Sequence, residues 1–268
     1  MKSHTLFLLV FLLFIASCKD TKKEETTINT SSQGTVSPDQ SKEKPVSDLK
    51  IIPITHATAV VEYKENIIYI DPTGGAKAFE NQKQPNLVLI TDIHGDHMNI
   101  ETLNSLDLEK SKLIVPQAVA EKLPASYTKQ LVIINNGEVK DVNGISIEAI
   151  PMYNLREEAL KFHDKGRGNG YIITLGDERL YFSGDTEDIP EMRALKNIDK
   201  AFVCMNLPYT MTVESAADAV LEFKPKQVYP YHYRGSNGLS NIIKFRETVN
   251  KGNTEIEVVQ LNWYPTIK

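Results

Sequence analysis

Between Leu87 and Asn99 the chain reads LVLITDIHGDHMN, and four metal-competent side chains, Asp92, His94, Asp96 and His97, fall within six positions. Carboxylates and imidazoles crowded this closely repel one another or stay unsatisfied if buried alone, and a divalent cation resolves the conflict. The plainer alternative is a solvated loop rich in Asp and His. Beyond the cluster stand His56, His163 and His232, and a lone Asp185 in the run Phe182-Ser183-Gly184-Asp185-Thr186. Any one of these histidines by itself suits a surface or core position. Together with the three aspartates they point to a shared metal site, since loops at sheet edges converge where strand interiors cannot.

The elements that must position these groups are legible from periodicity. Leu87 to Ile90 reads as a short buried strand and Met98 onward has helical spacing, which puts the cluster on a strand-to-helix turn that Gly95 keeps tight. Upstream, Leu49 to Pro53, Ala59 to Tyr63 and Ile67 to Ile70 are predicted strands, and Asp71-Pro72-Thr73-Gly74-Gly75 stops the sheet. Downstream, the pattern predicts helices near 100–106 and 117–123 and strands at 113–115, 131–134 and 145–150. A hairpin follows over Tyr171 to Leu175 and Arg179 to Phe182. The rest alternates: helix 189–195, strand 201–205, helix 213–223, strand 227–231 ending at His232, helix 239–249 and a last strand 256–261. Both halves begin with strands and continue with strand–helix units, which suits two sheets packed face to face with helices outside.

The amino terminus carries an address. Lys2 precedes the apolar run Leu6 to Ile15, too short for a typical membrane span, and Ile15-Ala16-Ser17-Cys18 follows. This resembles a bacterial lipoprotein signal with its lipobox, which implies cleavage before Cys18, acylation of that cysteine and a membrane-anchored, exported protein of the cell envelope. An ordinary secretory peptide and an uncleaved anchor helix are the alternatives. Residues Lys19 to Asp48 have no aromatic side chain and few aliphatic ones, so they cannot offset their chain entropy by burial and read as a flexible tether. The expected organisation is therefore a signal peptide at 1–17, lipidated Cys18 and linker at 18–48, and one catalytic-sized domain at 49–268. A net charge of −5 with no basic run gives no face for nucleic acid. The chain has 2 cysteines, Cys18 and Cys204, which excludes a disulfide framework, and Cys204 in its apolar run reads as a small core residue.

The order Asp92-x-His94-x-Asp96-His97, a later histidine, Ser183-Gly184-Asp185-Thr186, then a strand ending in His232 resembles the metallo-β-lactamase superfamily over nearly all of the domain. Ile70-Asp71-Pro72 and Tyr229-Pro230-Tyr231-His232 are most similar to the branch that includes L-ascorbate-6-phosphate lactonase and N-acyl-phosphatidylethanolamine phospholipase D. The resemblance implies an α/β fold, a four-layer αββα sandwich, with a dinuclear metal site along one edge. It implies that Asp92, His94 and a third ligand hold one metal, that Asp96, His97 and His232 hold the other, and that Asp185 bridges them. Such a carboxylate neutralises both cations, and a hydroxide held between them stays nucleophilic at neutral pH. Asp96 is then the candidate to orient that hydroxide and take its proton.

Two positions depart from the family pattern. Asp92 stands where the motif usually opens with His, a harder donor that makes Mn²⁺ or Fe²⁺ plausible beside Zn²⁺; a degraded, single-metal site is the other reading. After the strand at 145–150 the aligned ligand position holds Asn154, and His163 arrives nine residues later in a longer loop. We expect that loop to fold back so that His163 supplies the imidazole, leaving Asn154 near the site as a neutral hydrogen-bonding group. Arg167, among Gly166, Gly168 and Gly170, would offer a guanidinium to a substrate phosphate or carboxylate, although spaced glycines more often mark a turn. His56 is expected at the site edge, hydrogen-bonded behind the ligands or facing substrate, Asp71 behind a metal-bound imidazole, and Asn206, Tyr209 and Tyr233 in the pocket wall.

The function expected is a membrane-tethered hydrolase of a small-molecule ester, lactone, amide or phosphodiester. The alternative is a non-catalytic metal- or ligand-binding lipoprotein that keeps the fold.

Overall fold

A computed structural model describes residues 48–265; the expected signal peptide, Cys18 and nearly all of the tether lie outside the described residues. The first half opens with an antiparallel meander of β1 (Leu49–Thr55), β2 (Thr58–Tyr63) and β3 (Asn66–Ile70). It continues in parallel through β4 (Leu87–Leu89), β5 (Lys112–Val115) and β6 (Leu131–Ile133). Short helices α1 (Ile100–Ser105) and α2 (Gln117–Ala120) link the parallel strands. The second half repeats the scheme. Antiparallel β7 (Val139–Val142), β8 (Ile145–Met152), β9 (Gly168–Leu175) and β10 (Glu178–Phe182) precede parallel β11 (Lys200–Cys204), β12 (Gln227–Tyr231) and β15 (Glu257–Val258). Helices α3 (Pro190–Arg193), α4 (Val213–Phe223) and α5 (Ile242–Gly252) connect them, and β13 (Arg234–Gly235) pairs with β14 (Gly238–Leu239) in a small separate ribbon. None of the described helices is long and apolar enough to cross a membrane.

Side-chain alternation separates the layers. In the first sheet Val61, Ile68, Ile70, Leu87, Leu89 and Ile114 belong to the core shared with the second sheet. Their neighbours Val60, Tyr69, Val88, Leu113 and Val115 point the other way, onto Leu103 of α1 and Val119 of α2. This two-residue period makes one strand serve two cores. In the second sheet Phe182, Phe202 and Tyr229, paired in register, stack on one another, while Tyr181 meets Phe223 of α4 edge to face. The expected αββα order of layers is therefore observed.

The two sheets are pinned together beside the cluster. The buried hydroxyl of Tyr171 on β9 donates to the carbonyl of Ile90 at 2.9 Å, and the Asn169 backbone N–H donates to the carbonyl of Thr91 at 2.9 Å. A Cβ at Gly168 would collide with Met152 and Thr91, and one at Gly170 would sit 2.8 Å from the Ser183 carbonyl oxygen. Gly168 and Gly170 are thus a packing device inside β9, whereas Gly166 precedes the strand and is required only by its φ of 90°.

Most expected elements are present, with shifted ends. The helix expected at 239–249 runs from Ile242 to Gly252, the last strand shrinks to Glu257–Val258, and β7 and the β13–β14 ribbon were not expected. Val139 to Val142 alternates poorly because only Val142 of that edge strand is buried. Leu89, wholly buried between the sheets, should be among the costliest positions to truncate. We expect Leu89→Ala to lower unfolding free energy by about 2–5 kcal/mol, read from the shift of the denaturation midpoint at constant slope.

Candidate metal centre

Nearly every group of interest follows the carboxyl end of a strand. His56 follows β1, Asp71 follows β3, Asp92 lies just past β4, Asp185 past β10, Asn206 past β11 and His232 directly after β12. In open sheets this edge is where loops converge on ligands. Several of these residues hold left-handed backbone conformations, with φ of 54° at His56, 44° at Asp71, 45° at His232 and 61° at Gly184. For non-glycine residues such values are uncommon and persist only where the surroundings enforce them. Gly184 has no alternative residue, because a Cβ there would meet the Met152 sulfur as well as a positive φ.

Asp185 is the hub. It is 3% exposed, with Oδ1 3.0 Å from His232 Nε2, and Oδ2 3.3 Å from His163 Nε2 and 3.5 Å from His97 Nε2. His97 Nε2 and His232 Nε2 lie 3.2 Å apart. Asp96 is the open member, its side chain 46% exposed, with Oδ2 3.3 Å from His56 Nε2 and 3.5 Å from His232 Nε2. On the other flank Asp92 Oδ2 is 2.8 Å from His94 Nδ1 and 3.9 Å from His163 Nε2. Three sets of side chains therefore offer closely spaced donor atoms: Asp92 with His94 and His163, His97 with Asp185 and His232, and His56 with Asp96 and His232.

A layer of hydrogen bonds sets which nitrogen each imidazole turns inward. Asp71, wholly buried, accepts from the Thr91 N–H and hydroxyl, both at 2.7 Å, and lies 2.8 Å from His97 Nδ1. That carboxylate fixes a proton on Nδ1 and leaves Nε2 facing Asp185. His163 Nδ1 reaches the Tyr209 carbonyl at 3.2 Å, which likewise frees its Nε2 for the cluster. His56 Nδ1 is 2.7 Å from the Tyr264 hydroxyl.

The long loop carries His163 to the cluster and sets Asn154 and Arg167 against partners of their own. Asn154 is 2% exposed and does not line the pocket; its amide donates to the carbonyls of Ala159 at 2.8 Å and Tyr209 at 2.7 Å. Its backbone N–H donates to the His163 carbonyl at 3.0 Å, so it braces the loop that carries His163 inward. Buried Glu187 accepts from the backbone N–H groups of Leu155 and Arg156, both at 2.8 Å, and from the Arg156 side chain at 2.6 Å, which anchors the loop's start. Arg167, expected to meet substrate, is turned instead onto Asp92. Its Nε donates to Oδ1 at 3.0 Å and its Nη2 to Oδ2 at 2.9 Å.

The electrostatics are those of a site that wants positive charge. Burial alone would lower the pKa of His97 and His232, but Asp185, helped by Asp71 at His97, raises both. Burial would raise Asp185 and Asp96, yet the surrounding imidazoles hold both well below the ordinary carboxylate range. At Asp92 burial is overcome by hydrogen bonds from His94 and Arg167, which bring it to about 2. His56 goes the other way, lowered to about 4 by burial despite its contact with Asp96. Asp185 Oδ1 and His163 Nε2 are buried without a hydrogen-bond partner of acceptable geometry, which is the condition a coordinated cation relieves. The donor set fits divalent metals. Beside it opens a pocket of about 350 Å³ lined by His94, Asp96, Phe162, His163, Asp185, Asn206 and Tyr209. Asn206 faces the cluster, its Nδ2 3.5 Å from His232 Nε2. Tyr233 is not among the lining residues and packs on Tyr264.

The sequence did not mark Thr91, Thr58, Phe162 or Tyr264 as site residues. Thr58 donates to the Asp71 carbonyl at 2.6 Å, and such links leave no signature in composition or spacing.

Residues 50–232 match the model of the beta-lactamase superfamily domain. A UPF0173 metal-dependent hydrolase of Pyrococcus horikoshii is 28% identical over 194 residues, covering 69% of this chain and 84% of the relative. Among solved structures, a Parabacteroides distasonis protein that carries the designation metal-dependent hydrolase is similar at a TM-score of 0.72 and 33% identity. That similarity covers 81% of this chain and 94% of the other. A metallo-beta-lactamase fold protein of Bacillus subtilis, 12% identical, shares the fold at a TM-score of 0.61, with 77% of this chain and 88% of that one covered.

The Asp71–His97 contact yields a direct test. Asp71→Asn would present an amide N–H to His97 Nδ1 and favour the wrong tautomer. Affinity for divalent metal should fall by about 10–100-fold with the fold retained, as measured by equilibrium dialysis alongside circular dichroism.

Proposed function

From the premise that this chain belongs to the beta-lactamase superfamily, we propose that it is a metal-dependent hydrolase tethered to a membrane through Cys18, acting on a small-molecule ester, lactone, amide or phosphodiester. The observation that carries the reading is Asp185, a buried carboxylate whose two oxygens face His163, His97 and His232 within 3.5 Å. In this proposal Asp92, His94 and His163 hold one divalent metal, Asp96, His97 and His232 hold a second, and Asp185 serves both. Zn²⁺ is the first candidate, and the oxygen donor at Asp92 adds Mn²⁺ and Fe²⁺ as alternatives. Metals bound there would supply Lewis acidity and a water of lowered pKa.

The chain's own residues then divide the remaining work. Asp96 is the most exposed carboxylate bordering the pocket, and His56 and His232 hold its Oδ2, so its carboxylate is placed to take a proton from an attacking water. Asn206 presents its amide at the pocket wall, where it can donate to a substrate oxygen. Its Oδ1 accepts from the Thr210 hydroxyl at 2.5 Å, which fixes the N–H groups outward. Phe162 and Tyr209, ring centroids 5.0 Å apart, form an apolar wall that orients the rest of the substrate and limits water.

Elemental analysis of the full chain tests the metal reading. The wild type should carry about two metals, and Asp185→Ala should fall below one with loss of ester and phosphodiester hydrolysis. Metal content below one in the wild type, unmoved by Asp185→Ala, would sink it.

The tether has its own test. In a bacterial host the wild type should fractionate with membranes and label with a fatty-acid probe, and Cys18→Ala should do neither. Labelling that survives the substitution would show that Cys18 is not the anchor.

A further inference from the structure

The two halves of the cluster are not equivalent, and the difference lies in one cation. Asp185 and Asp96 meet imidazole nitrogens, groups that can give up a proton and turn a lone pair toward a metal. Asp92 meets one such nitrogen, His94 Nδ1 at 2.8 Å, and in addition a guanidinium, which cannot be deprotonated. The contact is bidentate, Nε to Oδ1 at 3.0 Å and Nη2 to Oδ2 at 2.9 Å, so each carboxylate oxygen already holds one N–H. Asp92 is wholly buried and the Arg167 side chain only 17% exposed, so solvent does little to screen the pair.

Arg167 is itself held in place. Its Nη2 also donates to the Phe162 carbonyl at 2.5 Å, next to the loop residue His163, and lies 3.5 Å from His94 Nε2. A fixed positive charge thus stands against two of the three side chains that offer a metal on this flank. No comparable cation touches Asp96, Asp185, His97 or His232 among their described contacts. Asp92 occupies the position where the resembling family opens its motif with a neutral imidazole. A buried carboxylate there needs a counter-charge when no metal is bound, and Arg167 supplies it.

We infer that Arg167 makes the two metal positions unequal, holding the Asp92–His94–His163 flank as a weak, second-filled site for a divalent cation while the His97–Asp185–His232 flank fills first. The inference rests on the two-metal reading proposed above. Arg167 acts on the metal through Asp92 and is a positioning residue rather than a catalytic one. It withdraws carboxylate lone pairs and charge from one site and leaves the other untouched. Occupancy of the second position would then follow metal supply, and an enzyme that needs both ions would be switched by that supply.

Titration of the metal-stripped full chain with Zn²⁺, and separately with Mn²⁺, against a chromogenic chelator tests this. The wild type should show two affinity classes. Arg167→Met keeps the aliphatic stem and frees Asp92, so the weak class should tighten by about tenfold while the tight class moves by less than about twofold. The melting temperature provides a second reading. Without metal, Arg167→Met leaves the buried Asp92 carboxylate without its guanidinium and should melt below the wild type, and saturating Zn²⁺ should close most of that gap because the cation replaces the guanidinium. Arg167→Lys, which keeps the charge but loses the fork, serves if the Met variant does not fold, and should tighten the weak class by about threefold. A weak class that is unchanged or weakened in the variants, or a wild type with two equal sites, overturns the inference and leaves the two-metal reading standing. A wild type that takes up no metal overturns that reading as well.

Discussion

A buried carboxylate that faces three imidazoles is the constraint on which this structure turns. Asp185 cannot be satisfied by one partner, because its oxygens sit in a dry edge between two sheets with His232, His97 and His163 arriving from three separate segments. Each of those segments is anchored by its own strand or loop, and beside them β9 comes close to the first sheet. Gly168 permits that approach, Gly170 lets β9 lie against the end of β10, and Tyr171 and Asn169 lock the sheets together by donating to carbonyls just past β4. The cost of desolvating the charges is thus met by a site whose natural complement is a cation.

The same constraint accounts for the backbone conformations around the cluster. His56, Asp71 and His232 all have positive φ, and all three lie on turns that leave a strand at this edge. A residue leaving a strand in the ordinary extended conformation would carry its side chain along the sheet. The left-handed turn sends it sideways to the shared centre. His232 and His56 are held by a direct exchange, the His232 N–H donating to the His56 carbonyl at 3.2 Å while their rings meet edge to face. Strain of this kind persists where packing over-determines the geometry, and the β1 and β12 ends supply that packing through Trp263 and Tyr264.

Much of this was legible in the sequence, for reasons that differ between elements. The strands of the first sheet read as nearly continuous apolar runs because each face has its own apolar layer, and Asp92 to His97 announces itself by density of ligand types alone. His163 was reachable through the family resemblance, which implies an imidazole after β8 where this chain has Asn154 and offers the next histidine in the loop. The partners of Arg167 and Asn154 were hidden from the sequence for a common cause. Both are polar side chains whose partners, Asp92 on one hand and the carbonyls of Ala159 and Tyr209 on the other, are set by tertiary closure of the loop. Spacing in the sequence carries no information about such closures. Edge elements failed for the opposite reason: Val139 to Val142 is so exposed that it has no pattern to read.

The distribution of exposure assigns direction to the site. Asp71, Asp92 and Asp185 are sealed, whereas Asp96 and His94 keep 46% and 40% of their side-chain surface. A substrate can therefore approach only across the His94–Asp96 turn, with Phe162 and Tyr209 on one side and Asn206 on the other. The sealed carboxylates cannot exchange protons readily with solvent and are suited to fixed charge. Asp96 and Asp185 both border the pocket and the buried imidazoles, but the Asp96 side chain is 46% exposed and that of Asp185 only 4%. A single turn, Asp92 to His97, thus contributes a covered carboxylate at its first position and an open one at its fifth. The difference between them comes from what closes over each: Arg167 and its loop cover Asp92, and nothing comparable covers Asp96.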